Sequence, residues 1–161
     1  MIVIVMGVVG AGKTTVGKLL AAQLGWEFAD ADDFHPASNV EKIRNGIPLT
    51  DDDRAPWLDQ LRAAIDQWIA TSQSVVLACS ALKSSYRAKL QAGPEVRFVY
   101  LKGSAALIGE RLRSRQGHFA SDSILTSQLA DLEEPASALT VEVAESPQQI
   151  VANIRAGLGL G

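Results

Sequence analysis

Apolar residues arrive in this chain in two alternating rhythms. Short runs rich in β-branched residues recur at Ile2–Met6, Trp26–Ala29, Ser74–Cys79 (SVVLAC), Val96–Leu101 (VRFVYL) and Thr140–Ala144 (TVEVA); such runs suit strands covered on both faces. Between them the apolar residues fall at helical spacing. Val16, Leu19, Leu20 and Leu24 form one stripe, and Trp57, Leu58, Leu61, Ile65, Trp68 and Ile69 another. Leu107, Ile108 and Leu112 form a third, and Ile150, Val151, Ile154 and Leu158 a fourth. Pro56 predicts the first turn of the second stripe, and Ser146-Pro147 an N-cap and first helical position for the last. Strands alternating with helices predict an α/β chain with a five-stranded parallel sheet. Two stretches break the rhythm, Asp30 to Asp53 and Gln116 to Glu134. In an open α/β sheet, ligands sit beyond the carboxyl ends of the strands, so both stretches are where function is expected.

The first strand runs straight into Gly7-Val8-Val9-Gly10-Ala11-Gly12-Lys13-Thr14. This matches the G-x-x-x-x-G-K-[ST] phosphate-binding loop, with the strand before it and the helix after it that the motif requires. The glycines turn main-chain N–H groups inward around phosphate oxygens, and the helix N-terminus adds partial positive charge. Lys13 is expected to reach the β- and γ-phosphates of ATP, and Thr14 to offer its hydroxyl to Mg²⁺.

Asp30, Asp32 and Asp33 follow the second strand. Carboxylates this close repel one another unless something cationic offsets them. One reading gives Asp30 to the water shell of Mg²⁺ and Asp32 to the acceptor hydroxyl, as orienting group or base; the other makes the cluster an acidic turn capping the next helix. Arg54, after Asp51-Asp52-Asp53, either forks onto a carboxylate or merely offsets those aspartates, which themselves suit a helix N-terminus. Beyond the third strand, Lys83, Tyr86 and Arg87 supply positive charge and a hydroxyl for a small polar anion, while Cys79 reads as a packed apolar residue rather than a nucleophile. Arg111 and Arg115 share a helix face ahead of Gln116-Gly117-His118-Phe119. They suit adenine stacking and phosphate contact beside a glycine-hinged lid, or simply a basic helix end. His118 lacks partners at metal-ligand spacing and reads as a lid contact.

Composition narrows the class without choosing the chemistry. A length of 161 residues, 47% hydrophobic and 20% charged, predicts one globular domain spanning residues 1–161. A net charge of −3 disfavours nucleic-acid binding. One cysteine excludes an internal disulfide. The first apolar run is too short for a secretory leader and none approaches membrane-spanning length, so no membrane partner and a cytoplasmic location are expected.

Nearly the whole chain resembles the small bacterial-type gluconate kinases. The likeness rests on GVVGAGKTT, on DADDFHPASNVEKIRNGIPLTDDDRAPWL from Asp30 to Leu58, and on ACSALKSSYRAKL from Ala78 to Leu90. FVYLKGS from Phe98, RLRSRQGHF and SQLADLEEP from Ser127 extend it. The resemblance implies the three-layer P-loop fold of nucleoside-monophosphate and shikimate kinases, with strand order 2-3-1-4-5 and a helical lid over about 116–134. It implies ATP-dependent phosphorylation of D-gluconate on its 6-hydroxyl, usually by a homodimer. Carried onto this chain, the nucleotide side is Gly7 to Thr14 with Thr15, Arg111 and Arg115; the acceptor side is Asp32, His35, Arg54, Lys83, Arg87 and Gln128. Lys13, Asp32 and Arg115 are the expected catalytic groups, and Thr14 and Asp30 the metal side. The rivals are a shikimate or nucleotide kinase on the same scaffold, and a nucleotide-binding regulator that transfers nothing.

Overall fold

The computed structural model describes residues 1–116 and 119–160, with the side chains of residues 115–123 outside that description. Five parallel strands, β1 (Ile2–Met6), β2 (Glu27–Asp30), β3 (Val75–Ala78), β4 (Val96–Lys102) and β5 (Leu139–Glu142), make one sheet in the order β2-β3-β1-β4-β5. The order is the expected one. β1 lies at the centre, with Ile2 level with Val75 on one side and Val96 on the other. All five of its side chains are fully buried, as a central strand covered on both faces demands.

The period of two along β1 splits the core into two layers. Val3 and Val5 face α1 (Lys13–Leu24), α5 (Ala105–Gln116), α6 (Phe119–Asp131) and α7 (Pro147–Leu158), packing with Val16, Leu20, Ile108, Leu112, Leu125 and Ile154. Ile2, Ile4 and Met6 face α3 (Asp51–Ala70) and α4 (Ser84–Leu90), packing with Trp57, Leu61, Ile65, Tyr86 and Leu90. Burying each such side chain contributes about 1.5–3 kcal/mol. The sequence stripes therefore fall on the faces they predicted, and Ser146 caps α7 through its side chain with Pro147 at the first position.

The start of α3 differs from the reading based on Pro56. Thr50 is the N-cap: its side chain accepts from the Asp53 N–H while the Asp53 carboxylate accepts from the Thr50 N–H. This reciprocal pair opens the helix at Asp51 and leaves Pro56 one turn inside, where the N–H it lacks would have met the Asp52 carbonyl. Between β2 and α3 lie a single 3-10 turn, Ala31–Phe34, and α2 (Ala37–Arg44). Lys42 reaches both Asp53 carboxylate oxygens at 2.9 Å, and Asn39 Nδ2 donates to the Asp53 carbonyl at 2.7 Å. These bonds lash α2 to the head of α3 and hold it beside the carboxyl edge of the sheet. Among the described residues, no helix is long and apolar enough to cross a membrane.

Candidate active site

A cavity of about 290 Å³ opens at the carboxyl ends of β1, β2 and β3. Its floor is the loop after β1. Gly12 takes a left-handed conformation (φ 95°) as the N-cap of α1, and a side chain grown there would meet only open space. Gly10 is also left-handed (φ 83°), and a Cβ on it would strike Leu112 at 2.6 Å. The loop is thus pressed onto α5 from behind and left bare in front, the shape an N–H cradle needs. Val8 and Ala11 sit in the core beneath it, and Val9, Gly10, Gly12, Lys13, Thr14 and Thr15 line the cavity.

Lys13 folds back so that Nζ donates to the Val8 carbonyl at 3.1 Å. Burial pulls its ammonium below the ordinary value, against the opposing pull of Asp32. A desolvated cation at the mouth of an N–H cradle favours a polyanion. Thr14 Oγ1 donates to Asp30 Oδ2 at 3.2 Å, so a hydroxyl and a carboxylate from different elements stand side by side. That donor pair fits Mg²⁺, which takes few protein oxygens and completes its shell with water and phosphate. Among the described residues, no cluster of three or more His, Cys, Asp or Glu competes for a metal.

Asp30 Oδ1 also accepts from the Asp32 N–H at 3.0 Å, capping the 3-10 turn and fixing where Asp32 begins. The capping reading holds for Asp30 Oδ1, while Oδ2 is left to Thr14. Asp32 keeps solvent access through the cavity mouth but is walled by protein. This desolvation, followed by the Asp30 carboxylate, pushes its pKa up. A carboxylate raised in this way beside a phosphate loop is suited to accept a proton from an alcohol.

The acceptor side is built on α2 and α3. His35 stacks on Trp57 with ring centroids 4.4 Å apart, and Trp57 Nε1 donates to the Ala31 carbonyl at 2.7 Å. Asn39 Nδ2 must be the donor to the Asp53 carbonyl, so the same nitrogen, 3.2 Å from His35 Nδ1, makes Nδ1 an acceptor. The His35 proton is then on Nε2. Burial and then the Arg54 charge lower its pKa to about 4, which keeps the ring neutral. Arg54 is almost fully buried at the cavity wall; Nη1 donates to Tyr86 Oη at 2.9 Å and to Asp131 Oδ2 at 3.2 Å. The Tyr86 hydroxyl donates to Asp51, which also receives Lys83 Nζ at 2.9 Å.

The expected residues Lys13, Thr14, Asp30, Asp32, His35, Arg54 and Gln128 meet around one cavity. Lys83 and Arg87 stand off its walls. Lys83 is spent on Asp51, and Arg87 on the carbonyls of Ala81, Leu82 and Glu133. Ala81 has a left-handed backbone (φ 45°), so Arg87 braces a strained loop behind the cavity. Arg111 lies on α5 outside the lining; the Arg115 side chain, Gly117 and His118 fall outside the described residues. Cys79 lines the cavity wall but is buried, and desolvation pushes its thiol up to about 12, so it is no nucleophile. The sequence places Trp57 in a helical core stripe and assigns Asn39 and Asp131 no part in the site. The i, i+3 spacing of Arg54 and Trp57 on one helix is an available signal; nothing in the sequence pairs Asp131 with Arg54.

A phosphate loop, a metal-suited Thr-Asp pair and a raised carboxylate in one cleft of this fold define a P-loop phosphotransferase. The family model described as shikimate kinase matches residues 9–158. The gluconokinase of Gluconobacter oxydans is 47% identical over 133 residues, 82% of this chain and 75% of that one. The thermoresistant gluconokinase of Escherichia coli is 40% identical over 157 residues, 94% and 90%. A solved gluconokinase from Sinorhizobium meliloti superposes with TM-score 0.87 at 44% identity, covering 98% of this chain and 90% of that one. The chain belongs to the gluconokinase family, on the scaffold it shares with shikimate kinases.

Proposed function

We propose that this protein transfers the γ-phosphoryl group of ATP to the 6-hydroxyl of D-gluconate, giving 6-phospho-D-gluconate. The observation that carries this reading is that one cavity holds both halves of the chemistry, the phosphate loop with Lys13 at one end and Asp32, His35 and Arg54 at the other. Phosphoryl transfer asks the protein mainly for alignment and charge neutralisation. The loop amides and Lys13 hold the phosphates. Thr14 and Asp30 would hold Mg²⁺, which supplies charge neutralisation at the phosphates when bound. Asp32 orients the acceptor hydroxyl and takes its proton. The neutral His35 offers Nε2–H to a polyol hydroxyl, and the Arg54 guanidinium faces the carboxylate at the far end of the acid. Gln128 touches the loop from α6, and Lys83 and Arg87 act behind the site by fixing Asp51 and the Ala81 loop. Arg111 and Arg115 are assigned to the nucleotide, on a lid of about residues 116–134 within a single kinase domain. A homodimer working in the cytoplasm completes this reading.

Shikimate and nucleotide kinases share the scaffold, and the family model described as shikimate kinase covers most of the chain. Solved shikimate kinases are only 15–18% identical, a likeness that speaks for the fold alone. The test is ADP release by the purified protein with Mg-ATP and a panel of gluconate, other aldonates, shikimate and nucleoside monophosphates. Turnover is expected with gluconate well above the rest; turnover only with shikimate or a nucleotide would replace this acceptor, and ATP binding without any turnover would make the protein a regulator.

A further inference from the structure

Helix α6 presents Ile124, Ser127, Gln128 and Asp131 at the i, i+3, i+4, i+7 spacing of a single face. The first three line the cavity, and the last two fasten the helix at different ends of it. Gln128 Oε1 accepts the Val9 N–H of the phosphate loop at 2.6 Å. Asp131 Oδ2 accepts from Arg54 Nη1 at 3.2 Å, where the Arg54 side chain is 11% and that of Asp131 26% exposed. Each fastening therefore occupies a group that one of the two substrates uses. A guanidinium this buried needs a counter-ion. Asp51 is held by Tyr86 and Lys83, which leaves Asp131 as the carboxylate in direct contact with Arg54 among the described residues. Both bonds from Arg54 leave Nη1, so its Nε and Nη2 edge carries no protein partner among the described residues.

We propose that Asp131 is the resident counter-ion of the acceptor site, a positioning residue that holds Arg54 until the carboxylate of the sugar acid docks on the Nε/Nη2 edge and takes over as its counter-ion. The inference rests on the sugar-acid reading above. The exchange replaces one carboxylate by another, so the charge around Arg54 is unchanged. A neutral polyol has nothing to exchange and leaves the ion pair closed, which discriminates by charge. The exchange also reaches the nucleotide side. Asp131 and Gln128 are one turn apart, so releasing one loosens α6 at the other, and Val9 is freed for phosphate. Whichever substrate binds first carries most of the cost of release, and the second binds more tightly. Linkage requires that this effect be reciprocal.

The experiment is isothermal titration of D-gluconate into the wild type, Asp131→Asn and Asp131→Glu, with and without a non-hydrolysable ATP analogue and Mg²⁺. In the wild type the analogue is expected to tighten gluconate binding about fivefold, the lower end of ordinary site coupling. In Asp131→Asn, gluconate alone should bind several-fold more tightly than in the wild type, and the analogue should add little. Asp131→Glu, which keeps the carboxylate, should restore the wild-type pattern. Gln128→Ala reads the same coupling from the nucleotide end should Asp131→Asn fail to fold, and there too the factor should shrink. Weaker gluconate binding by folded Asp131→Asn, or a coupling factor unchanged in either variant, overturns the exchange. A wild type that binds no gluconate overturns the acceptor assignment itself, a result distinct from failure in the variants alone.

Discussion

The His35 ring lies almost parallel to the Trp57 indole, their planes 11° apart. The stack takes His35 out of water and places it near Arg54, which together lower its pKa from 6.5 to about 4. Between those two values the unfolded chain binds a proton that the folded protein refuses, so stability falls as pH drops through this window. Asp53 acts lower down. The Thr50 N–H and then Lys42 hold its carboxyl at about 2 against 3.8, so its contribution is lost only as pH falls below about 4. Thermal unfolding followed in steps between pH 7 and pH 4 should show a falling midpoint in the wild type and a shallower fall in His35→Gln. Parallel curves for the two proteins would remove His35 as the source.

Lys13 is the desolvated cation of the phosphate cradle. Lys13→Ala removes charge stabilisation from the transferring group and should lower kcat by about 10²–10³-fold. Its bond to the Val8 carbonyl is a minor part of the loop, so circular dichroism and the unfolding midpoint should stay near wild type. Near-normal turnover in the folded variant would break the assignment of the loop.

How far the site could be read from sequence depended on how locally each part is encoded. The loop from Gly7 to Thr14 carries its own geometry in glycine positions, and β1 announces itself by five consecutive apolar residues. The sheet order came from family likeness, because parallel register is set by crossovers that no local pattern records. Pro56 misled about the head of α3 because the reciprocal Thr50–Asp53 cap outweighs a proline preference one turn later. Arg87 stands off the cavity because a guanidinium near a site satisfies main-chain carbonyls as readily as a ligand, and the left-handed turn at Ala81 beside it is invisible in the residue type. The contact between Arg54 and Asp131 spans 77 positions and depends wholly on how α6 folds over the cleft.

Asp32 should act in its ionised form. Its pKa is raised by desolvation and by Asp30, so kcat/KM should fall on the acid side with a midpoint above the ordinary carboxylate value of 3.8. Asp32→Asn should lower kcat by about 10²–10⁴-fold with a smaller change in the KM for ATP, and the acid limb should vanish from its residual activity. A pH–rate profile unchanged by the substitution would assign proton acceptance to another group.

Asn39 is a buried polar side chain whose Nδ2 serves His35 Nδ1 and the Asp53 carbonyl together. Asn39→Ala strands His35 Nδ1, removes the second bond to the Asp53 carbonyl and should destabilise the protein by about 1–3 kcal/mol. The His35 ring then loses the partner that fixes its tautomer, so the KM for gluconate should rise more than kcat falls. Denaturant unfolding and steady-state kinetics on one preparation separate the two effects. A stability loss with an unchanged KM would make Asn39 purely a brace between α2 and α3.

Arg54 joins a guanidinium edge without a partner among the described residues to an ion pair, and a lysine can supply only the charge. Arg54→Lys should raise the KM for gluconate by about tenfold or more while the KM for ATP moves little, because the forked contact with a carboxylate is lost and the loop amides are untouched. The same variant should narrow the preference for gluconate over a neutral polyol of equal length, since carboxylate recognition is what the fork provides. Tyr86→Phe serves as the comparison. It removes the hydroxyl that aims Arg54 Nη1 and anchors Asp51, and it should produce a weaker version of the same KM effect. If Arg54→Lys lowered kcat at unchanged KM, the guanidinium would belong to the transferring phosphate and the sugar acid would have to lie the other way round in the cleft.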